Sequence, residues 1–361
     1  MEIMHVRGEL TQLKKGIANG RVKIGFAGGS ITTAKTTSNW PLYLRGWFVN
    51  RYQNVRLSMV NAAIGATGSM CGLAISQKEF IDRNCDLVFM EYAVNDNGAD
   101  AEERMRTQEG LIRKLLSANI DVVLIYTFYQ EMLADMRQNQ TPKSIRDMEL
   151  LAGHYNISSV FVGRAVYEQV EKGLLPWNVW LPDGTHPQHI GSYFYAASVI
   201  AFLEEEMKGK KGLPLWKGAD MPKPLNNRNW QYTEEIPFSA VKTVGSWTQA
   251  REVHNPWFEE QLFTYGMHDA LSIQFEGRGL AIIFSYGKTS GVVEYRLDGG
   301  GWQKYSCQRY WWMPEENFVN AVKFADDLPY GKHLFELRIA HECIEGCTSC
   351  DCKILMILAV Q

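Results

Sequence analysis

The first 207 residues alternate short apolar runs with stretches in which apolar residues recur at helical spacing. Apolar runs of about four to eight residues, bounded by turn signals, are typical of buried strands in a parallel sheet. They predict strands at 22–27, 55–61, 85–92, 121–128 and 159–162. The helical spacing predicts helices at 8–20, 41–52, 102–118, 141–155 and 189–207. This alternation predicts a parallel sheet with helices on both faces.

The pattern changes after residue 208. A stretch rich in Pro, Gly and Lys at 211–229 is typical of a linker. Beyond it the helical spacing disappears, and short apolar segments between turn signals predict strands at 271–276, 279–286, 292–297, 333–340 and 353–360. We therefore expect an α/β domain at 1–210, a linker at 211–229, and a jelly-roll-like β-sandwich at 230–361.

The composition excludes few classes of function. A net charge of −3 over 361 residues provides no basic surface for nucleic acid. No stretch approaches the roughly 18 apolar residues needed to span a bilayer, so we expect no membrane partner. Eleven Trp and sixteen Tyr weakly favour a carbohydrate ligand, although aromatic residues also fill sandwich cores. Whether the chain forms a homo-oligomer is left open.

The cysteines and the amino terminus bear on the compartment. Met1–Leu10 carries charges where a signal peptide needs an apolar run, which predicts a cytoplasmic protein, or a secreted one if a leader has been removed. Seven cysteines without the spacing of a disulfide scaffold predict reduced thiols. Cys343, Cys347, Cys350 and Cys352 could bind zinc, but their spacing matches no common zinc finger. We expect a reduced or partly oxidised loop there rather than a metal.

Three residues could together carry out nucleophilic catalysis. Ser30 follows the first predicted strand, where it could act as a nucleophile or cap the next helix. His186 could activate it, because the unperturbed pKa of histidine, about 6.5, lies near neutral pH. Asp183 precedes that histidine by three residues and could hold the imidazole in the correct tautomer.

Further donors follow two other predicted strands. Asn95 carries a side-chain amide, although an asparagine there could also merely cap a turn. The backbone N–H groups of Ser30 and of Gly65 or Ala66 could donate as well. Such donors could form an oxyanion hole, in which one donor contributes about 3 kcal/mol to acyl transfer.

At these positions the chain resembles the SGNH, or GDSL-type, hydrolases. Four segments appear in the order of that family's four sequence blocks: Gly28–Ile31, Asn61–Thr67, Ala93–Asp96 and Asp183–Pro187. The resemblance covers residues 22 to about 205. It implies a flavodoxin-like three-layer α/β/α domain, and esterase or deacetylase chemistry without metal or cofactor. With the predicted β-sandwich, the chain is similar to two-domain carbohydrate esterases.

The resemblance also implies roles for particular residues. It makes Ser30 the nucleophile, His186 the base and Asp183 its orienting partner. Asn95, the Ser30 N–H and a backbone N–H of the second block would complete the oxyanion hole. Either Gly65 or Ala66 could supply that second-block N–H, because alignment with different relatives places either residue there.

Some residues at these blocks depart from the family pattern or permit another interpretation. The residue before the nucleophile, usually Asp in the family, is Gly29 here. His189 could be taken for the base, but it lacks an Asp at the same spacing and is expected to begin a helix. Glu91 and Asp96 could form a carboxylate pair for glycoside hydrolysis. We give that alternative little weight, because side chains five residues apart across a strand end need not converge.

These observations favour a serine esterase that removes small acyl groups, with acetyl as the first expectation, from a carbohydrate. A lipase or thioesterase that acts on longer acyl chains is the alternative within the same chemistry. A non-catalytic carbohydrate-binding protein is the alternative from another class.

Overall fold

The computed structural model describes residues 2–33, 39–209, 215–307, 318–340, 342 and 348–361. The chain divides into two compact units, Met1–Gln231 and Tyr232–Gln361. The first unit combines helices with a largely parallel sheet, and the second is made of antiparallel strands. The predicted fold class, an α/β domain followed by an all-β domain, is therefore confirmed.

In the described residues, the first unit has a six-stranded sheet with the order β1-β6-β5-β4-β2-β3. Its strands are β1 (Met4–His5), β2 (Arg21–Gly28), β3 (Arg56–Asn61), β4 (Leu87–Glu91), β5 (Asp121–Ile125) and β6 (Ser158–Val160). Strand β1 pairs antiparallel with β6, and the other neighbours are parallel. Without β1 this is the flavodoxin-like order, in which ligands bind where the connections change direction. That point lies at the carboxyl ends of β2 and β4.

Helices flank the sheet. They are α1 (Thr11–Ala18), α2 (Trp40–Arg51), α3 (Ser69–Ser76), α4 (Ala101–Ser117), α5 (Leu133–Arg137), α6 (Lys143–His154), α7 (Val162–Glu171), α8 (Trp177–Trp180) and α9 (His189–Met207). Every residue of β4 and β5 is buried, as expected for strands covered on both faces. None of the described helices combines the length and apolarity needed to cross a membrane.

The structure extends the sequence predictions at several elements. Helix α9 has the predicted bounds, and the other predicted strands and helices of this unit differ by a few residues at their ends. Helix α3 was not predicted, because all eight of its residues are buried and it has no polar face to mark the helical period. The short elements β1, α5 and α8 contain too few residues to show a period.

The described part of the expected linker packs on the first unit. The backbone N–H groups of Leu225 and Asn226 donate to the Glu109 carboxylate of α4, at 2.6 and 2.8 Å. Trp230, the first residue after the expected linker, is fully buried, and its backbone N–H donates to the carbonyl of Arg106 at 3.0 Å. A composition rich in Pro and Gly indicated the lack of regular structure here, but not these contacts.

The second unit has two antiparallel sheets. In the described residues their orders are β15-β12-β17-β10-β9, with β7 also paired to β17, and β14-β13-β16-β11-β8. The strands are β7 (Thr233–Glu235), β8 (Lys242–Val244), β9 (Thr248–Arg251), β10 (Glu260–Thr264), β11 (Ala270–Gly277), β12 (Gly279–Tyr286), β13 (Val292–Leu297), β14 (Gln303–Ser306), β15 (Phe318–Ala325), β16 (Gly331–Ile339) and β17 (Cys352–Val360). Strand β12 is buried at every residue and lies inside the first sheet, between β15 and β17.

The cysteine cluster is only partly described. Cys350 is disulfide-bonded, so the general expectation of reduced thiols is wrong for this residue, whereas the expectation of a partly oxidised loop is compatible with it. Cys352 is a free, buried thiol, while Cys343 and Cys347 lie outside the described residues. The zinc alternative therefore lacks Cys350 as a thiolate ligand. Within the part of the chain that the structure describes, no group of three or more potential ligands could hold a metal ion.

Candidate active site

Ser30 lies on a tight turn directly after β2. The backbone N–H groups of Thr32 and Thr33 both donate to the carbonyl of Gly29, at 3.1 and 3.0 Å. The next described helix, α2, has Asn39 as its N-cap, and the Asn39 side chain accepts from the N–H of Leu42. Among the described residues, Ser30 caps no helix, and its hydroxyl lies at the switch point of the sheet.

The structure brings Ser30, His186 and Asp183 together in a hydrogen-bonded chain. The Nε2 atom of His186 lies 2.7 Å from the Ser30 hydroxyl, across 156 residues of sequence. The Nδ1 atom of the same ring lies 2.7 Å from Oδ2 of Asp183. With its proton on Nδ1, the imidazole donates to the carboxylate and presents the lone pair of Nε2 to the serine.

The Asp183 carboxylate is held by its own loop. Its other oxygen, Oδ1, accepts from the backbone N–H groups of Thr185 and His186, at 2.9 and 2.7 Å. Partial burial raises the pKa of Asp183, but these two N–H groups and the imidazole outweigh it and hold the pKa below its usual range. The carboxylate is therefore charged and oriented at neutral pH. The Asp183 and His186 side chains are 56% and 45% exposed, so solvent and substrate can reach the site.

The second sequence block lies beside the nucleophile. A Cβ atom placed on Gly65 would be 3.8 Å from Cβ of Ser30. This loop is tied to the nucleophile turn, because the N–H of Ile64 donates to Gly28 and the Thr33 hydroxyl donates to Ala63, both at 3.0 Å. Within the described residues, no acceptor is bound to the N–H groups of Gly65 and the following Ala66. Either can donate to a substrate oxygen.

Ala66 adopts a backbone conformation that is uncommon for its type. Its φ of 57° lies in the left-handed region, which costs a residue with a Cβ atom about 1 kcal/mol. Such conformations concentrate at functional loops, where the surrounding structure enforces them. The conformation of Ala66 therefore indicates that the surrounding structure holds the second block in a defined, strained loop. The N–H groups of Gly65 and Ala66 both remain candidate donors to the oxyanion.

Asn95 fills the space beside Gly29. A Cβ atom on Gly29 would lie 2.0 Å from the Asn95 side-chain oxygen, so a larger residue at position 29 would displace the carboxamide. The Asp that the family usually has before the nucleophile is therefore incompatible with this placement of Asn95. In the described part of the chain the Asn95 carboxamide caps no turn and has no hydrogen-bond partner, so its N–H groups can donate to an oxyanion.

Glu91 and Asp96 are both buried, which argues against a carboxylate pair facing a sugar. Asp96 accepts from the N–H of Ser69 at 2.9 Å and from the Gln108 amide at 2.7 Å, and thereby holds the start of α3. Burial raises the pKa of Asp96, and these donors oppose that rise. His189 is the first residue of α9 and is exposed; the histidine nitrogen at Ser30 belongs to His186.

No protein-family model and no curated protein matches this chain. Among solved structures, it is similar to CEX, a two-domain esterase active on acetylated mannans, in a structure with mannopentaose and in one without it. Each CEX structure is 21% identical to this chain and superposes on it with a TM-score of 0.83. The matches cover 99% and 98% of this chain and 96% of the CEX chain in both cases. A variant of Axe2, an acetyl xylan esterase from Geobacillus stearothermophilus, matches 51% of this chain and 94% of its own, with 20% identity and a TM-score of 0.45.

The CEX comparison spans both units of the chain. At this level of identity it shows the fold alone. The expected resemblance to two-domain carbohydrate esterases is therefore confirmed for the architecture: the chain has the fold of a two-domain esterase over nearly its whole length.

Proposed function

We propose that the protein is a serine carboxylic ester hydrolase that removes acetyl groups from a carbohydrate. The hydrogen-bonded chain from Ser30 through His186 to Asp183, located at the switch point of the sheet, carries the proposal. A hydroxyl bonded to an oriented imidazole is the arrangement that activates a serine. The fold shared with an esterase active on acetylated mannans supports the choice of acetyl and of carbohydrate.

In the first half of the proposed reaction, Nε2 of His186 takes the proton of Ser30 as Oγ forms a bond to the acetyl carbon. The electron pair of the carbonyl moves to its oxygen, which accepts from Asn95 and from the N–H groups of Ser30 and Gly65 or Ala66. The bond from carbon to the sugar oxygen then breaks, and His186 returns its proton to that oxygen. The sugar leaves as an alcohol, and an acetyl-enzyme remains.

In the second half, a water molecule loses a proton to His186 as its oxygen bonds to the acetyl carbon. The bond to Ser30 breaks, Ser30 regains the proton from His186, and acetic acid leaves and ionises to acetate in water. Asp183 stays charged throughout and stabilises the imidazolium that forms in both halves.

The first test uses 4-nitrophenyl acetate with the wild type and with Ser30→Ala. We expect turnover by the wild type and a loss of at least about 10⁴-fold in kcat for the variant. A fluorophosphonate that labels the wild type but not the variant identifies Ser30 as the nucleophile. Equal activity of the two proteins, or no activity with any acyl length, would contradict the proposal.

The second test addresses the substrate. Acetate release is measured from acetylated mannan, acetylated xylan and acetylated oligosaccharides, with Ser30→Ala as the background. A series of 4-nitrophenyl esters from acetyl to octanoyl separates the lipase or thioesterase alternative, because a pocket for acetyl loses rate beyond propionyl. Glycan binding by a wild type that turns over no ester would favour the non-catalytic alternative.

A further inference from the structure

Glu91 is a buried carboxylate directly beneath the nucleophile turn. It is the last residue of β4 and lies opposite Gly28, the last residue of β2, in the parallel register. Its side chain is fully buried. A Cβ atom on Gly28 would lie 2.9 Å from Oε2 of Glu91, so the glycine permits the carboxylate to come this close to the strand end. No step of the proposed reaction uses Glu91.

The contacts of this carboxylate converge on the turn that carries Ser30. The Thr32 hydroxyl donates to Oε2 at 2.8 Å. The Gly29 backbone N–H favours the charged form of the carboxylate and opposes the rise in its pKa. The second donor is the hydroxyl of Thr127, which donates to Oε1 at 2.6 Å. Thr127 follows β5 and is fully buried. The Thr32 donor therefore lies on the turn that carries Ser30, and the Thr127 donor anchors the carboxylate to the interior.

Thr32 links Glu91 by hydrogen bonds to other residues around the nucleophile turn. While its hydroxyl donates to Glu91, it accepts from the indole N–H of Trp40 at 3.0 Å. Its carbonyl accepts from the amides of Asn39 and Asn61, at 3.1 and 2.9 Å. The nucleophile turn is thus fixed from β4, from the start of α2 and from the end of β3.

We propose that Glu91 is a positioning residue that holds the nucleophile turn, and with it Ser30, at the distance and orientation that His186 and Asn95 require. This inference rests on the proposed esterase function. A carboxylate suits the task because it accepts several hydrogen bonds and donates none, whereas an apolar residue would leave the hydroxyls of Thr32 and Thr127 without this acceptor. Displacing a reacting group by about 1 Å can cost about 10²-fold in rate.

The test compares the wild type with Glu91→Gln and Glu91→Leu. Glu91→Gln keeps the shape and one acceptor oxygen, and Glu91→Leu removes all acceptors. We expect kcat for 4-nitrophenyl acetate to fall by about 10- to 100-fold in Glu91→Leu and less in Glu91→Gln, with KM within about twofold. The rate of labelling by a fluorophosphonate should fall in parallel, because it reports the reactivity of Ser30. A folded Glu91→Leu protein with unchanged kcat and labelling rate would overturn the proposal.

Two isosteric variants provide a control that does not require Glu91→Leu to fold. Thr32→Val and Thr127→Val each remove one hydroxyl donor from the same carboxylate, but only Thr32 lies on the nucleophile turn. We expect Thr32→Val to lower the labelling rate at least fivefold more than Thr127→Val at similar melting temperatures. Equal losses in the two variants would mean that Glu91 supports the core generally, and would overturn the proposal. A wild type that neither reacts with the fluorophosphonate nor hydrolyses any ester would instead contradict the proposed function itself.

Discussion

The two edges of the parallel sheet each bury a carboxylate, and the two carboxylates bind different partners. At the carboxyl edge, Glu91 accepts from the turn that carries Ser30 and from Thr127. At the amino edge, Asp121 is equally buried, but it accepts from the N–H groups of Gln12 and Leu13 in the first turn of α1 and from the Lys217 ammonium. The partners of one carboxylate belong to the candidate site, and those of the other belong to the framework.

This difference indicates a division of roles within one sheet. Asp121 accepts from the first N–H groups of a helix and pairs with a lysine, and therefore stabilises the packing of these elements. Without the carboxylate, the helix N–H groups would lack an acceptor and the lysine charge would lack a partner. A carboxylate that satisfies a turn beside a nucleophile controls a geometry that affects rate more than stability. We therefore expect substitutions at the carboxyl edge to change kcat, and substitutions at the amino edge to change the free energy of unfolding.

The largest effect on rate after loss of Ser30 is expected for Asp183→Asn. The amide would turn a donor toward Nδ1 of His186 or give up its bonds to the loop N–H groups, and the imidazole would lose its orienting acceptor. We expect kcat to fall by about 10³-fold, with little change in melting temperature because Asp183 is exposed. Steady-state kinetics and thermal unfolding of the same preparation provide the check. A large loss of stability would contradict the proposed division between residues that control the rate and residues that control stability.

The next effect is expected for Gly29→Ala, which adds one carbon atom at the carboxyl edge. That atom would meet the Asn95 carboxamide at 2.0 Å, so the amide must move away from the nucleophile. We expect a loss of about 10²-fold in kcat, comparable to the removal of one oxyanion donor. Asn95→Ala is the matched variant: if the alanine acts through Asn95, the double variant should be no slower than the slower single variant. Additive losses would exclude that explanation.

At the amino edge, Asp121→Ala should have the opposite outcome. It leaves the Lys217 ammonium and two helix N–H groups without the carboxylate, in a site where Asp121 is fully buried and Lys217 nearly so. Removing one partner of a buried ion pair costs about 3 kcal/mol, measured by urea unfolding. The specific activity of the folded fraction should stay within about twofold of the wild type. A loss of kcat beyond that would contradict the separation of the two edges.

Sequence and structure agree best where a local pattern determines the element. Strands β4 and β5 are continuous apolar runs, and α9 has the predicted bounds, since burial on both faces or a long helix leaves a clear signal. The strands β8 and β9 were not predicted, because their residues are mostly exposed and polar. They exist through pairing with β11 and β10, which the local sequence does not show.

The candidate site shows the same limit. Ser30, Asn95, Asp183 and His186 were predicted because each belongs to a block with a family pattern, and the structure brings them to one edge. The partners of Glu91 were not found, because Thr32 and Thr127 are 59 and 36 residues away from it. The sequence signal that could have indicated a role for Glu91 was a glutamate at the end of an apolar strand. Such contacts depend on the strand order, which places β2, β4 and β5 side by side.

The smallest expected effect is a dependence of stability on pH, and it distinguishes the two carboxylates. Burial raises the pKa of Glu91 to about 7, although the hydroxyls of Thr127 and Thr32 and the Gly29 N–H oppose the rise. Burial raises the pKa of Asp121 to about 6, although the Lys217 ammonium and the α1 N–H groups oppose it. A raised pKa means that the folded protein binds the proton more tightly than the unfolded chain. The stabilisation is therefore complete at low pH and is lost as the pH rises through about 6 for Asp121 and about 7 for Glu91.

Between pH 6 and 7, Glu91 should thus contribute more of this change than Asp121. We expect the free energy of unfolding of the wild type to fall over this range, relative to Glu91→Gln, by no more than about 1.4 kcal/mol per pH unit. The reactivity of Ser30 should change in the opposite direction and rise with pH, because a protonated Glu91 presents a hydrogen where the turn requires an acceptor. Urea unfolding and fluorophosphonate labelling at pH 6.0, 6.5 and 7.0 measure both quantities, and Asp121→Asn should leave the labelling profile unchanged. If the labelling rates of the wild type and Glu91→Gln depend on pH in the same way, Glu91 does not control the reactivity of Ser30. Both buried carboxylates would then act only on stability.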